Sequence, residues 1–108
     1  LYFKIFSLSN LCEAHFNYAF IHFPVLHLFD GHILSYEVKA KKPDIEIYKK
    51  ALALSNADIK ESFYVDSKEE CVEKAKELGF DAEKYMDPKL LRSQLIERKF
   101  LQKSPGTQ

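Results

Sequence analysis

Apolar positions along the chain fall into two kinds of block: short aromatic or β-branched runs, and longer stretches in which apolar residues return every three or four places. The first kind predicts buried strands, the second amphipathic helices. Phe63-Tyr64-Val65 is the clearest strand, and the polar group after it starts where such a strand should end. From Glu69 the residues are helix formers, with Cys71, Val72, Ala75 and Leu78 on one side, Glu70 and Lys74 spaced to pair, and Gly79 placed to stop the helix. Upstream, Tyr2 to Leu8 predicts a strand that Ser9-Asn10 closes. Asn10 and Glu13 stand in capping-box relation ahead of a helix from about Leu11 toward Phe20, which loses definition near Pro24. After the turn at Phe29-Asp30-Gly31, Ile33-Leu34-Ser35 predicts a short strand. Pro43 then occupies an expected first helical position, followed by Ile45, Tyr48 and Leu52 on one face, widened by Ile47, Ala51 and Leu54. A weak strand near Phe80 to Tyr85 and a helix capped by Asp87-Pro88, with Leu90, Leu91 and Leu95, complete the pattern.

Strand and helix alternating in this way predict an α/β chain with a Rossmann-like parallel sheet and flanking helices. Asp66 and Ser67 then sit at the carboxyl end of a strand and over the start of a helix, where ligands of open α/β sheets bind; capping of that helix is the simpler role. Lys42, just ahead of a helix start, is suited to hold an anion beside backbone N–H groups, or else is a solvated surface lysine.

Composition narrows the function. Hydrophobic residues make up 46% and charged residues 30% of 108, which describes a globular domain, and the formal net charge of zero gives no basis for a nucleic-acid partner. The apolar stretch from Tyr18 to Phe29 is broken by His22, Pro24 and His27, so no membrane span is expected. Cys12 and Cys71 lack metal-ligand spacing and read as reduced thiols, which implies a cytoplasmic setting. His15, His22, His27 and His32 miss the spacing of a helical zinc pair. The aromatics, without a basic stripe, read as core rather than as a base-stacking platform.

Taken in order, Ser9-Asn10, the Lys42-Pro43-Asp44 segment with Ile47-Tyr48, and Phe63-Tyr64-Val65-Asp66 with Ala75 and Gly79 resemble the later motifs of the haloacid dehalogenase-like (HAD) superfamily. Leu8-Ser9-Asn10 with His15, and Ser35-Tyr36-Glu37, are similar to its capped small-molecule phosphatases. The resemblance implies a magnesium-dependent phosphate monoester phosphatase acting on a small phosphorylated metabolite. In that family an aspartate of an Asp-x-Asp motif attacks phosphorus, and magnesium and nearby cations stabilise the charge. By resemblance, Ser9, Lys42 and Asp66 are the catalytic residues, Ser9, Asn10 and Lys42 hold phosphate, and Asp66 is the metal ligand.

Two departures shape the expectation. No Asp-x-Asp occurs in the 108 residues, and Ser67 stands where the family usually has a metal-ligating aspartate. The chain therefore reads as the C-terminal portion of a HAD-like core over residues 1–100, an incomplete core lacking the first strand and the cap, with a disordered tail over 101–108. Such a chain should be catalytically silent alone, with doubtful Mg2+ binding. The alternative is a non-catalytic HAD-like remnant acting through protein association, since loss of the family's central strand would expose two apolar sheet edges.

Overall fold

The computed structural model describes residues 3–102. Along them run β1 (Phe6–Ser9), α1 (Glu13–His22), β2 (Gly31–Leu34), α2 (Ser35–Val38), α3 (Ile45–Ser55), β3 (Phe63–Asp66), α4 (Glu69–Leu78), β4 (Asp81–Lys84) and α5 (Pro88–Glu97), with 3₁₀ turns at Pro24–Leu28 and Ile59–Glu61. The expected α/β alternation is present. β1 lies parallel to β2, with Phe6 opposite Gly31 and Ser9 opposite Leu34; β3 lies parallel to β4, with Phe63 opposite Asp81 and Asp66 opposite Lys84. Parallel neighbours need a crossover, which the segment containing α1 supplies for the first pair and α4 for the second. The two ladders are separate two-stranded sheets, so the parallel sheet is interrupted between β1 and β3.

Helix α3 joins the two units. Ile47 and Tyr48 are fully buried on it, in one cluster with Ile33 of β2, Val72 and Ala75 of α4 and Ala82 of β4. Phe6, Leu8, Tyr64 and Phe80 pack around that cluster. The end of α5 is pinned to the second unit by Arg98, whose Nε donates to Asp81 Oδ2 at 2.6 Å and whose guanidinium lies 4.1 Å over the Phe63 ring. Its bidentate hold on Asp81 and stacking on an aromatic face are both uses that suit a planar guanidinium. At Gly31 the Phe6 ring lies so close that a Cβ there would come within 2.5 Å of Phe6 Cε2, so any side chain at that register position requires the ring to shift.

Several local expectations are corrected. β1 starts at Phe6; Tyr2 lies outside the described residues, as do residues 103–108 of the expected tail. α1 starts at Glu13 and has no buried residue; its N-cap is Cys12, and the Asn10–Glu13 capping box does not form because Asn10 bonds elsewhere. Pro43 precedes Asp44, the N-cap of α3, rather than occupying its first turn. Ile45 and Leu54 are exposed, the buried arc having turned toward Ile47 and Tyr48. Lys74 pairs with Glu77 at 3.4 Å instead of with Glu70. Ser35 opens α2 rather than ending β2. Gly79 does close α4 with a left-handed φ of 107°, and Asp87 caps α5 by accepting from the Leu90 N–H.

Two isoleucines of α3 test which face carries the core. Ile47→Ala should destabilise the chain by about 2–4 kcal/mol, whereas Ile45→Ala should change stability by about 0.5 kcal/mol or less. Urea unfolding followed by circular dichroism measures both.

Candidate functional site

The carboxyl ends of β1 and β3 meet at one lysine. β1 ends at Ser9, and the next residue, Asn10, turns its side chain to the backbone of Lys42: Nδ2 donates to the Lys42 carbonyl at 3.0 Å, and Oδ1 accepts from the Lys42 N–H at 2.8 Å. So held, Lys42 reaches Asp66 at the end of β3, with Nζ 2.7 Å from Oδ2 and both side chains nearly covered, 13% and 9% exposed. Tyr64 hydroxyl donates to the same Oδ2 at 2.6 Å, and the Lys68 N–H donates to Oδ1 at 3.0 Å. The segment that follows Asp66 thereby turns toward α4, whose N-cap is Lys68, so Asp66 orders the approach to that helix without capping it directly.

Of the residues singled out in the sequence, Asn10, Lys42 and Asp66 form one hydrogen-bonded chain. Ser9 occupies the last position of β1, opposite Leu34, adjacent to that chain. Ser67 is exposed beside it, as are Glu69 and Glu70. Tyr64 is a member that sequence reasoning placed only in the strand. Its signal was present, because residues two apart in a strand share a face, and Tyr64 stands two before Asp66. An open depression of about 690 Å³ flanks the chain, lined in part by Asn10, His15, Ser35, Tyr36 and Lys41.

Burial pushes the Asp66 carboxyl up, but hydrogen bonds from Lys42, Tyr64 and the Lys68 N–H, with the lysine charge, outweigh it and leave the group below its usual value of 3.8. The Tyr64 phenol is driven strongly upward by burial first and then by its bond to the Asp66 carboxylate, so it stays a donor. These residues do not fit a resident magnesium ion. Magnesium needs oxygen ligands, whereas one Asp66 oxygen faces an ammonium and a phenol and the other faces a backbone N–H. Among the described residues no group of three or more His, Cys, Asp or Glu is placed to hold a metal.

No protein-family model and no curated protein matches the sequence. Solved structures do match. The wild-type HAD family enzyme BT-2542 from Bacteroides thetaiotaomicron, in complex with magnesium and inorganic phosphate, superposes with a TM-score of 0.75 and 31% identity over 82% of this chain. Its magnesium complex gives the same values, and an Asp-to-Ala mutant with magnesium and inorganic phosphate gives 0.74 and 30%. The chain carries a partial HAD-like fold. It spans about half the length of these relatives, matching 50% of each. Within the HAD-like fold, the geometry described above lies at the carboxyl edge of the interrupted sheet. Among the described residues, no helix is long and apolar enough to cross a membrane.

The ion pair sets an acid dependence with a definite sign. Because the folded carboxyl titrates below 3.8, the unfolded chain binds more protons in acid; the stabilisation is complete above about pH 4–5 and is lost as pH falls through the lower folded value. Lys42→Met should raise the Asp66 titration, flatten that acid slope and cost about 2–3 kcal/mol at neutral pH by stranding a covered carboxylate. Carboxyl carbon NMR and urea unfolding across pH 2–7 measure these effects.

Proposed function

We propose that these residues form the phosphoryl-holding part of a HAD-like phosphohydrolase site, one that acts on small phosphate monoesters. The observation that carries the reading is the Lys42–Asp66 contact of 2.7 Å at the carboxyl edge of parallel strands. An ammonium has three donors; Asp66 takes one, and the others remain for phosphoryl oxygens. Asp66 is the positioning carboxylate that aims the cation, Asn10 fixes the lysine backbone, and Ser9 offers a hydroxyl beside it. Tyr64 keeps the carboxylate from turning away. The solved relatives in complex with inorganic phosphate and magnesium support a phosphorylated ligand and family-level magnesium chemistry. A bound magnesium would neutralise phosphoryl charge, but the residues present do not make a site for it.

No Asp-x-Asp is present to attack phosphorus, so on this reading hydrolysis draws its nucleophile from outside these 108 residues. Residues 1–100 are accordingly the C-terminal part of a catalytic core in this proposal. Ser67, in place of a second acidic residue, favours a second reading in which the chain acts by association rather than catalysis.

The experiment separates holding from hydrolysis. Inorganic phosphate titrated into isotopically labelled chain should shift the amides of Asn10, Lys42 and Ser67 with a dissociation constant on the order of millimolar, because the paired carboxylate cancels the lysine charge and helix-start contacts add only about 0.3–1 kcal/mol each. Lys42→Ala should abolish those shifts, and p-nitrophenyl phosphate with magnesium should show no turnover above background. Shifts spread over the surface, or insensitive to Lys42→Ala, would refute the proposal.

A further inference from the structure

Asn10 and Lys42 lie in segments, 10–12 and 39–44, that belong to no helix or strand, so their backbone groups need partners from side chains or water. For Lys42 the Asn10 amide serves both, accepting from the N–H and donating to the carbonyl. One residue further on, Ser35 does the same for Leu11: its Oγ accepts from the Leu11 N–H at 2.9 Å and donates to the Leu11 carbonyl at 3.1 Å. A hydroxyl has one proton and two lone pairs, so a single serine can fill both roles. A serine at a helix start ordinarily caps its own helix. Ser35 does not, because the N-cap of α2 is Leu34 and no side-chain capping bond is made there. Ser35 is itself anchored on both sides. It follows Leu34, which is buried and stands opposite Ser9 in the first parallel pair. Beyond it, the Lys39 N–H donates to the Ser35 carbonyl and the Lys50 ammonium of α3 to the Val38 carbonyl, which ties α2 to the central helix.

We infer that Ser35 is a positioning residue for Lys42: by holding both backbone groups of Leu11 it fixes the Asn10 amide, and through that amide the place from which the lysine reaches Asp66. The Leu11 N–H belongs to the same rigid peptide plane as the Asn10 carbonyl. Fixing that plane fixes the chain's exit from Asn10, and with it the direction in which the Asn10 side chain can extend to the Lys42 peptide. The series runs from the end of β2 through Ser35, Leu11, Asn10 and Lys42 to Asp66, with one covalent step or a hydrogen bond at each link. It carries the position of β2, set in the core, to an ammonium 2.7 Å from the Asp66 carboxylate. The relay acts whatever ligand the ammonium receives; its effect on phosphate rests on the phosphoryl-holding role proposed for Lys42.

Three variants of the intact 108-residue chain test the relay. Ser35→Ala should make solvent exchange of the Leu11 and Lys42 amides, followed by NMR, about threefold to tenfold faster, the range expected for one lost hydrogen bond, while the Val72 and Ala75 amides inside α4 keep their rates. Ser35→Thr retains the hydroxyl and should hold both loop amides within about twofold of the parent. Ser35→Cys, close in size but weaker as donor and acceptor, should fall between them, and it carries the test if the alanine variant does not fold. Inorganic phosphate should bind about threefold to tenfold more weakly to Ser35→Ala and equally well to Ser35→Thr. A faster Leu11 amide with Lys42 unchanged would confine Ser35 to its own loop and overturn the inference. Acceleration of the α4 amides to the same degree, or threonine and alanine variants that behave alike, would reduce Ser35 to general stability and overturn it too. If the parent chain shows no phosphate-dependent shifts, the proposed function falls, and the Lys42 amide still decides the role of Ser35.

Discussion

The buried side chain of Tyr48 touches both parallel units at once. Its ring meets Tyr64 of β3 edge-on at 5.6 Å, its hydroxyl donates to the Cys71 carbonyl of α4 at 2.9 Å, and it shares a cluster with Ile33 of β2. A continuous sheet would join its halves through backbone ladders; here side-chain packing on α3 does that work. A buried aromatic suits the task because it contributes a large apolar area while its hydroxyl finds its own acceptor in a carbonyl near the start of α4. Burial raises its phenol to about 12, so the hydroxyl remains a donor at neutral pH. Through this one helix β2 of the first unit and α4 and β4 of the second share a single core.

Electrostatics at that edge are arranged for direction rather than attraction. Lys42 and Asp66 are nearly covered, and such a pair recovers its desolvation only if the geometry is good and the remaining lone pairs are used. Both conditions hold: the lysine backbone is clasped by Asn10, and the carboxylate also accepts from Tyr64 and the Lys68 N–H. The pair itself carries no net charge. On the proposed reading, an anion arriving there meets donors of the lysine but little long-range pull from the pair itself, so its encounter rate should vary weakly with ionic strength.

What could be read from the sequence was what its neighbours in the chain already decide. The run from Phe63 to Gly79 was legible because a strand pattern, a helix pattern and a stopping glycine agree locally. Asp87-Pro88 was legible for the same reason. Asn10 was misread because Glu13 offers a capping partner three residues away, while the one that wins is the peptide of Lys42, 32 residues on, with two hydrogen bonds. On α3 the helical spacing was right and its orientation was not, since facing β2 and α4 together turns Ile47 inward and leaves Ile45 outside. The boundaries of α1 had no apolar stripe to reveal them, and none of its residues is buried. Lys42 and Asp66 were each visible as chemistry, but their contact, and the hand of Tyr64 in it, belong to the tertiary structure.

Phe6 and Gly31 sit opposite each other in the first parallel pair, with the ring filling the space a methyl group would need. Between these two positions, the order of change is therefore constrained. A lineage can replace Phe6 with a smaller residue while Gly31 stays, leaving a void, and Gly31 can then acquire a side chain to fill it. In the reverse order, the first step drives a side chain against the Phe6 ring and forces it to shift before any compensation arrives. Variation at position 31 among descendants of this sequence should thus be confined to those in which residue 6 has already shrunk.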